Sequence, residues 1–152
     1  MANLRSRSDK FFLCKVAMPE MQENGVEKDV TKQYAINALD WAEAQMRITE
    51  YLTPYAKSGM TIKDIKPAKF SEIFFTDVDT DDAWYAAKLA YITIDERSGK
   101  EKRKMHTHLF QASSLDDASK VIGEAMGNTM IDYAKTEIKD SKIFEVVEYG
   151  KE

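Results

Sequence analysis

At 152 residues, the chain falls in the size range of one compact unit able to bury a substantial core. A net charge of -4 excludes a uniformly basic nucleic-acid binder, although a local basic strip on an acidic body remains open. The single cysteine, Cys14, excludes an internal disulfide, and no apolar run is long enough for a secretion signal or a membrane span, so a soluble, cytoplasmic protein with no membrane partner is expected.

Residues 1–10 read as a flexible N-terminal arm: Arg5, Arg7 and Lys10 lie in a polar stretch without periodicity, suited to stray phosphate contacts and adding nothing to the fold. A first strand, about Phe11 to Met18, has period two. Phe12, Cys14, Val16 and Met18 suit the core face, and Phe11, Leu13, Lys15 and Ala17 the opposite one. Asn24-Gly25 signals a hairpin turn into a second strand, about Lys28 to Ala38. Asp40 with Glu43 then has the spacing of a helix start in which the cap side chain meets exposed amides and the acid reaches back. Trp41, Ala44, Ile48 and Leu52 mark the core stripe of that helix, which must stop or kink near Thr53 because Pro54 follows. A third strand, about Ile62 to Phe75, contains Pro67, which predicts a bend or an edge position. The acidic stretch 76–83 imitates the start of a calcium loop. However, Asp82 stands where that loop needs glycine and Lys88 where it needs a bidentate acid, so it reads as a solvated linker.

After the linker the pattern repeats at an offset of about 73 residues. Lys15 and Ala17 recur as Lys88 and Ala90, Gly25 as Gly99, and Ile48 and Glu50 as Ile122 and Glu124. Ile65-Lys66-x-x-Lys69-x-x-Glu72 returns as Ile138-Lys139-x-x-Lys142-x-x-Glu145. The second half therefore predicts a strand from Trp84 to Ile94, a turn at Ser98-Gly99, a strand from Lys102 to Ala112, a helix capped by Ser114 and Asp117, and a long strand from Thr136 to Tyr149. Tyr85, Ala87, Leu89 and Tyr91 take the core face of its first strand, and Leu115, Ala118, Ile122 and Met126 form its helical stripe. The expected fold is α+β: an internal duplication of a ββαβ unit (11–75 and 84–149) within one domain, 11–152, with antiparallel sheets, two packed helices and pseudo-twofold symmetry. The simplest strand order within each half is 2-1-3. Six long strands leave open edges, which favours a homodimer.

Chemistry-bearing motifs are few. The chain has no glycine-rich phosphate loop, no G-x-S-x-G elbow and no Cys/His pair with an orienting partner, so neither catalytic residues nor a cofactor are expected. The repeated pairs Lys15/Glu72 and Lys88/Glu145 read as cross-strand ion pairs in preference to acid/base dyads. His106 and His108 point to one side of a strand, but their counterparts Lys32 and Tyr34 supply no ligand pair; an exposed histidine face without a metal is expected. In both halves an aromatic precedes a lysine by four residues, Phe11 with Lys15 and Trp84 with Lys88, about 13 Å apart along a strand. That spacing leads one to expect a stacking platform with a phosphate contact. Arg97, Lys100, Lys102, Arg103 and Lys104 make the second hairpin basic, and Lys102, Lys104, His106, His108 and Phe110 share one strand face. Basic residues interleaved with aromatics in this way track a nucleic-acid backbone while stacking its bases. The expected function is non-enzymatic binding of single-stranded nucleic acid. The alternatives are a protein-interaction module using the same aromatic face, a small-molecule pocket between the halves, and an edge merely guarded by lysines.

Three stretches carry a resemblance: Lys66-Pro67-Ala68-Lys69-Phe70-Ser71-Glu72-Ile73-Phe74-Phe75, Trp84-Tyr85-Ala86-Ala87-Lys88-Leu89-Ala90-Tyr91-Ile92-Thr93 and Ser98-Gly99-Lys100-Glu101-Lys102. With them the chain resembles a family of short uncharacterised proteins of Bacteroidota and their phages. That resemblance implies no activity or site residues, and a phage association favours replication, recombination or host-takeover roles. The plan is also loosely similar to Whirly and PUR single-strand binders, whose element order differs.

Overall fold

A computed structural model describes residues 4–127 and 129–150. In chain order the elements are β1 (Arg5–Arg7), β2 (Phe11–Met21), β3 (Glu27–Asn37), α1 (Trp41–Leu52), β4 (Thr61–Pro67), β5 (Glu72–Phe75), β6 (Ala83–Ile94), β7 (Glu101–Ala112), α2 (Leu115–Gly127), β8 (Asp132–Asp140) and β9 (Ile143–Val147). The protein is α+β. Among the described residues, no helix is long and apolar enough to cross a membrane.

The chain divides into two compact units that do not follow the two sequence halves. Unit I contains Asp9–Ala68 and the segment from Ile143; unit II contains Lys69–Lys142 and the N-terminal strand. In unit I the sheet order is β4-β2-β3-β9, with β2 antiparallel to both β3 and β4 and β9 parallel to β3. In unit II the order is β1-β5-β7-β6-β8, with β6 antiparallel to β7 and β8, β5 parallel to β7, and β1 antiparallel to β5. The 2-1-3 order is present in each sheet as β3-β2-β4 and β7-β6-β8. What the repeat does not disclose is the added parallel strand, which makes both sheets mixed where antiparallel ones were expected.

That strand arises because each expected third strand breaks in two and changes sheet. Pro67 ends β4, which lies at the sheet edge where a residue without an N–H leaves no ladder bond unmade. The following turn is held by Ala68 N–H donating to Phe11 O (3.0 Å) in unit I and Ser71 N–H donating to Thr107 O (2.7 Å) in unit II. No proline marks the second break. There Lys142 takes a φ of 61°, its N–H donates to Asp140 Oδ1 (2.8 Å), and Ser141 donates from both its N–H and its hydroxyl to Trp84 O. A short polar side chain folding back on its own backbone offers the chain a turn in place of a continued ladder.

Both helices begin as their sequences dictate. Glu43 N–H donates to Asp40 Oδ1 (2.8 Å) while Glu43 Oε1 accepts from Leu39 N–H; Asp117 N–H donates to Ser114 Oγ (3.1 Å) while Asp117 Oδ2 accepts from Ser113 N–H. The backward reach is to the residue before the cap in both cases. α1 stops at Leu52 and tightens into a 3-10 turn, Thr53–Tyr55, around Pro54. Ala44, Ile48 and Leu52 are buried, as are Ala118, Val121, Ile122 and Met126. Trp41 and Leu115, the first members of the two stripes, are instead 51% exposed, so each helix covers its sheet only from its second turn.

The helix-covered face of each sheet carries the expected core. Phe12, Cys14, Val16 and Met18 pack with Tyr34, Ile36 and the α1 stripe in unit I. Ala87, Leu89 and Phe110 pack with the α2 stripe in unit II, with Tyr85 and Tyr91 at the margin. Burial, then the Asp64 charge, pushes the Cys14 thiol up to about 12, which leaves it unreactive near neutral pH.

The N-terminal segment is not a free arm from Leu4 onward. β1 pairs in register with β5 through Arg5↔Phe75, Ser6↔Phe74 and Arg7↔Ile73. The Arg5 guanidinium makes two bonds to the Asp77 carboxylate (2.6 and 3.0 Å) and lies 4.0 Å from the Phe75 ring centroid. β5 needs this strand because it would otherwise be the open edge of the sheet. The part of the arm at residues 1–3 lies outside the described residues. The linker is likewise tied down: Gln111 Oε1 accepts from the N–H groups of Thr76 and Asp77, Gln111 Nε2–H donates to Asp81 O, and the Thr76 hydroxyl donates to Asp81 Oδ2.

Candidate functional site

The residues proposed from sequence as a stacking platform are divided by burial. Phe11 is 3% exposed and Trp84 7%, and Trp84 meets Phe75 edge-to-face at 5.5 Å between ring centroids. Neither ring presents a free face to a base, so the expected combination of stacked aromatic and phosphate-binding lysine fails on both first strands. The reason is that β2 and β6 bury both faces: Ala17 and Ala90 are buried with Phe11 and Trp84, opposite the helix-covered side. The signal was present in the near-continuous apolar runs Phe11-Phe12-Leu13-Cys14 and Trp84-Tyr85-Ala86-Ala87, which suit a strand covered on both sides better than an alternating one.

Lys15 and Lys88 do stand exposed on those faces. Lys88 Nζ lies 3.6 Å from Glu137 Oε2, and Lys15 is registered opposite Asp64. The expected partners Glu72 and Glu145 are replaced by Glu137, which pairs with Lys88, and by Asp64, which stands opposite Lys15 in register. Glu72 and Glu145 have followed β5 and β9 into the other units.

The basic hairpin keeps its shape. Gly99, in the left-handed region at a φ of 71°, turns the chain between β6 and β7, with Asp95 N–H donating to Lys100 O and Gly99 N–H to Asp95 O. Directly opposed residues of an antiparallel pair share a face, and the register sets Thr93 opposite Lys102, Tyr91 opposite Lys104, and Tyr133 of β8 opposite Tyr91. Lys102, Lys104, His106, Tyr91 and Tyr133 therefore lie together on the α2 side of the sheet, the two tyrosines packed at the margin of the unit II core. Lys102 and Lys104 are exposed, and His106, Tyr91 and Tyr133 are partly so. The Tyr91 ring stacks on His106 at 4.2 Å and an interplanar angle of 30°. Lys102 approaches Asp95 at 3.5 Å and Arg103 approaches Glu101 at 3.2 Å, both surface pairs with little to hold them against a competing phosphate. Lys104 makes no ion pair among the described residues. Arg103 belongs to the opposite face with Ile92, and Lys100 to the turn. Tyr91 and Tyr133 carry no sequence signal as ligand-facing residues; the repeat assigns Tyr91 to the core.

His108 departs from the exposed histidine face that the sequence suggests. It is 2% exposed, its Nε2 hydrogen-bonds the Tyr91 hydroxyl at 2.6 Å, and its Nδ1 is without a partner among the described residues. Burial lowers its pKa below the ordinary 6.5, opposed by the Glu72 charge and assisted by His106. The ring is kept neutral in the fold, where one unpartnered ring nitrogen costs less than a buried cation. The unfolded chain then binds a proton that the folded chain refuses, so stability should fall as the pH drops below about 6.5 toward the folded value. Urea unfolding between about pH 8 and pH 5.5 should show this, and His108→Gln should flatten the profile. An unchanged slope in that variant would assign the pH dependence elsewhere.

No curated protein and no solved structure matches the chain. One family model does, over residues 10–149, and the chain belongs to that family, described as a domain of unknown function (DUF4494).

Proposed function

We propose that the protein binds single-stranded nucleic acid through the exposed end of the β6-β7-β8 face in unit II. The observation that carries this reading is the register that sets Tyr91 between Lys104 and Tyr133, with Lys102 on the same face one pair further along. Lysines beside aromatic rings on an open sheet surface offer phosphate contacts and stacking in one strip, and stacking tolerates any base. His106 extends the strip, and His108 and Phe110 continue the same β7 face as buried residues. The shared strand-strand-helix-strand order of the two units further supports descent from a copied unit, with only the second copy basic at its hairpin.

The reading needs no dimer. The β4 edge carries Lys63, Lys66 and Pro67 and the β8 edge Lys135 and Lys139, which oppose edge-to-edge pairing. The test is fluorescence anisotropy with labelled oligothymidine and a duplex of equal length. Two phosphate contacts, at Lys102 and Lys104, give a log–log salt slope of about -1.4 on single strands, about sevenfold weaker binding between roughly 50 and 200 mM salt. Single strands should bind more tightly than the duplex. Absence of binding, or binding indifferent to salt, would leave a protein partner as the better reading.

A further inference from the structure

Unit I holds a cavity of about 430 Å³ bounded by the β2-β3-β9 face, the end of α1 and the turn after it. Its walls are aromatic: Tyr34 and Phe144 meet edge-to-face at 5.7 Å, and Tyr51 and Tyr55 lie 6.1 Å apart. Tyr34 is buried at 2% exposure and forms the floor, whereas Phe144 at 52% and Tyr55 at 67% stand at the mouth. This is a concave site that sets aromatic rings beside a small set of charged groups, a form suited to a small ligand.

The polar groups give it a sign. Glu20 and Glu145 both line the cavity, against one lysine, Lys32. Lys32 Nζ is 2.8 Å from Glu20 Oε1 and 4.1 Å from the Phe144 ring centroid, so the protein already places one ammonium against both a carboxylate and a ring here. Glu145 makes no ion pair among the described residues and accepts a hydrogen bond from the Tyr51 hydroxyl. After Lys32 and Glu20 cancel, one negative charge remains among ring faces. Burial and then the charges of Glu145 and Glu20 raise the Tyr34 pKa; burial and Glu145 raise that of Tyr51, so both hydroxyls stay neutral. The site is invisible in sequence because Glu145 and Phe144 reach it only through the strand that changes sheet.

We infer that this pocket binds a small organic monocation of the alkylammonium class, its charge facing Glu145 and its alkyl groups against Tyr34, Tyr51 and Tyr55. Ring faces and a carboxylate attract such a cation together, and its weakly hydrated alkyl shell is shed at little cost. A metal ion would have to shed a tightly held hydration shell to reach the rings, and an inorganic anion is repelled by both the ring faces and Glu145.

The test uses the full chain and two probes of matched shape, choline and its uncharged isostere 3,3-dimethylbutan-1-ol, titrated by calorimetry and by amide chemical shifts. Choline should bind about tenfold more tightly than the alcohol, with shifts confined to the ends of β2, β3, β9 and α1 that line the cavity. Glu145→Gln should abolish that preference by weakening choline alone. Tyr55→Ala, at an exposed position where folding is not at stake, should weaken choline severalfold. Equal binding of the two probes would overturn the proposal in favour of an apolar pocket. Failure of choline to shift these residues at tens of millimolar would overturn it outright.

Discussion

A chain ending at Lys142 should lose most of the stability of unit I while unit II remains folded. The segment removed carries β9, whose Ile143 and Val147 are 6% and 4% exposed. Each such side chain contributes about 1.5–3 kcal/mol on burial, so about 3–6 kcal/mol is withdrawn from a fold whose whole stability is of order 5–15 kcal/mol. The truncation also strips β3 of its parallel partner, Tyr34 of its neighbour Phe144, and Asn37 of the two hydrogen bonds it exchanges with the Tyr149 backbone. Hydrogen exchange should show β2, β3 and β4 losing protection while β6, β7 and β8 keep theirs. A peptide of residues 141–150 added in trans should restore it by refilling the vacated edge. Equal unfolding midpoints for truncated and parent chains would show that β9 is dispensable. The same geometry predicts that a cut in the 76–83 loop leaves two fragments that remain associated, because each carries an edge strand of the other's sheet.

Neutralising Lys102 and Lys104 together should change nucleic-acid binding in a different manner from removing an aromatic. Both lysines are exposed and outside the core, so Lys102→Ala/Lys104→Ala should fold like the parent. Every phosphate that goes unneutralised keeps its counterion, and the single-strand salt slope should flatten by about 1.4 for the pair. Tyr133→Ala should cost about 1–3 kcal/mol of binding with the slope intact, because a stacked base releases no ions. Tyr91 is a poorer first choice, since its hydroxyl also partners His108 and its removal would disturb a buried ring. Lys15→Ala and Trp84→Ala separate this reading from the one drawn from sequence. The first should leave binding unchanged, and the second should act through stability, at about 3–5 kcal/mol, with no selective effect on affinity. If the lysine pair and Tyr133→Ala both bind oligothymidine like the parent, the interface lies elsewhere.

Much of the architecture is legible in the residues alone. Asp40 with Glu43 and Ser114 with Asp117 mark both helix starts, Pro54 marks the end of α1, and Asn24-Gly25 and Ser98-Gly99 mark both hairpins. Each of these is a local event, decided within a few residues by hydrogen-bond geometry or by the ring of a proline. The core faces of β2 and β6 on the helix side are legible for the same reason, since period two is a property of the strand itself. Pairing between distant strands has no such local signature. Pro67 announces a break but gives no indication that the chain beyond it joins β7, and the break at Lys142 depends on Ser141 bonding to Trp84 O, a group 57 positions away in sequence. That exchange decides which side chains become accessible. It sets β5 and β9 as parallel neighbours of β7 and β3, and it carries Phe144 and Glu145 beside Tyr34 and Tyr51. Local chemistry along the chain was thus sufficient for the elements, the caps and the basic hairpin. Long-range packing alone buried Phe11, Trp84 and His108 and left Tyr91 and Tyr133 half-buried at the core margin, because exposure depends on what covers a face and no residue encodes its own cover.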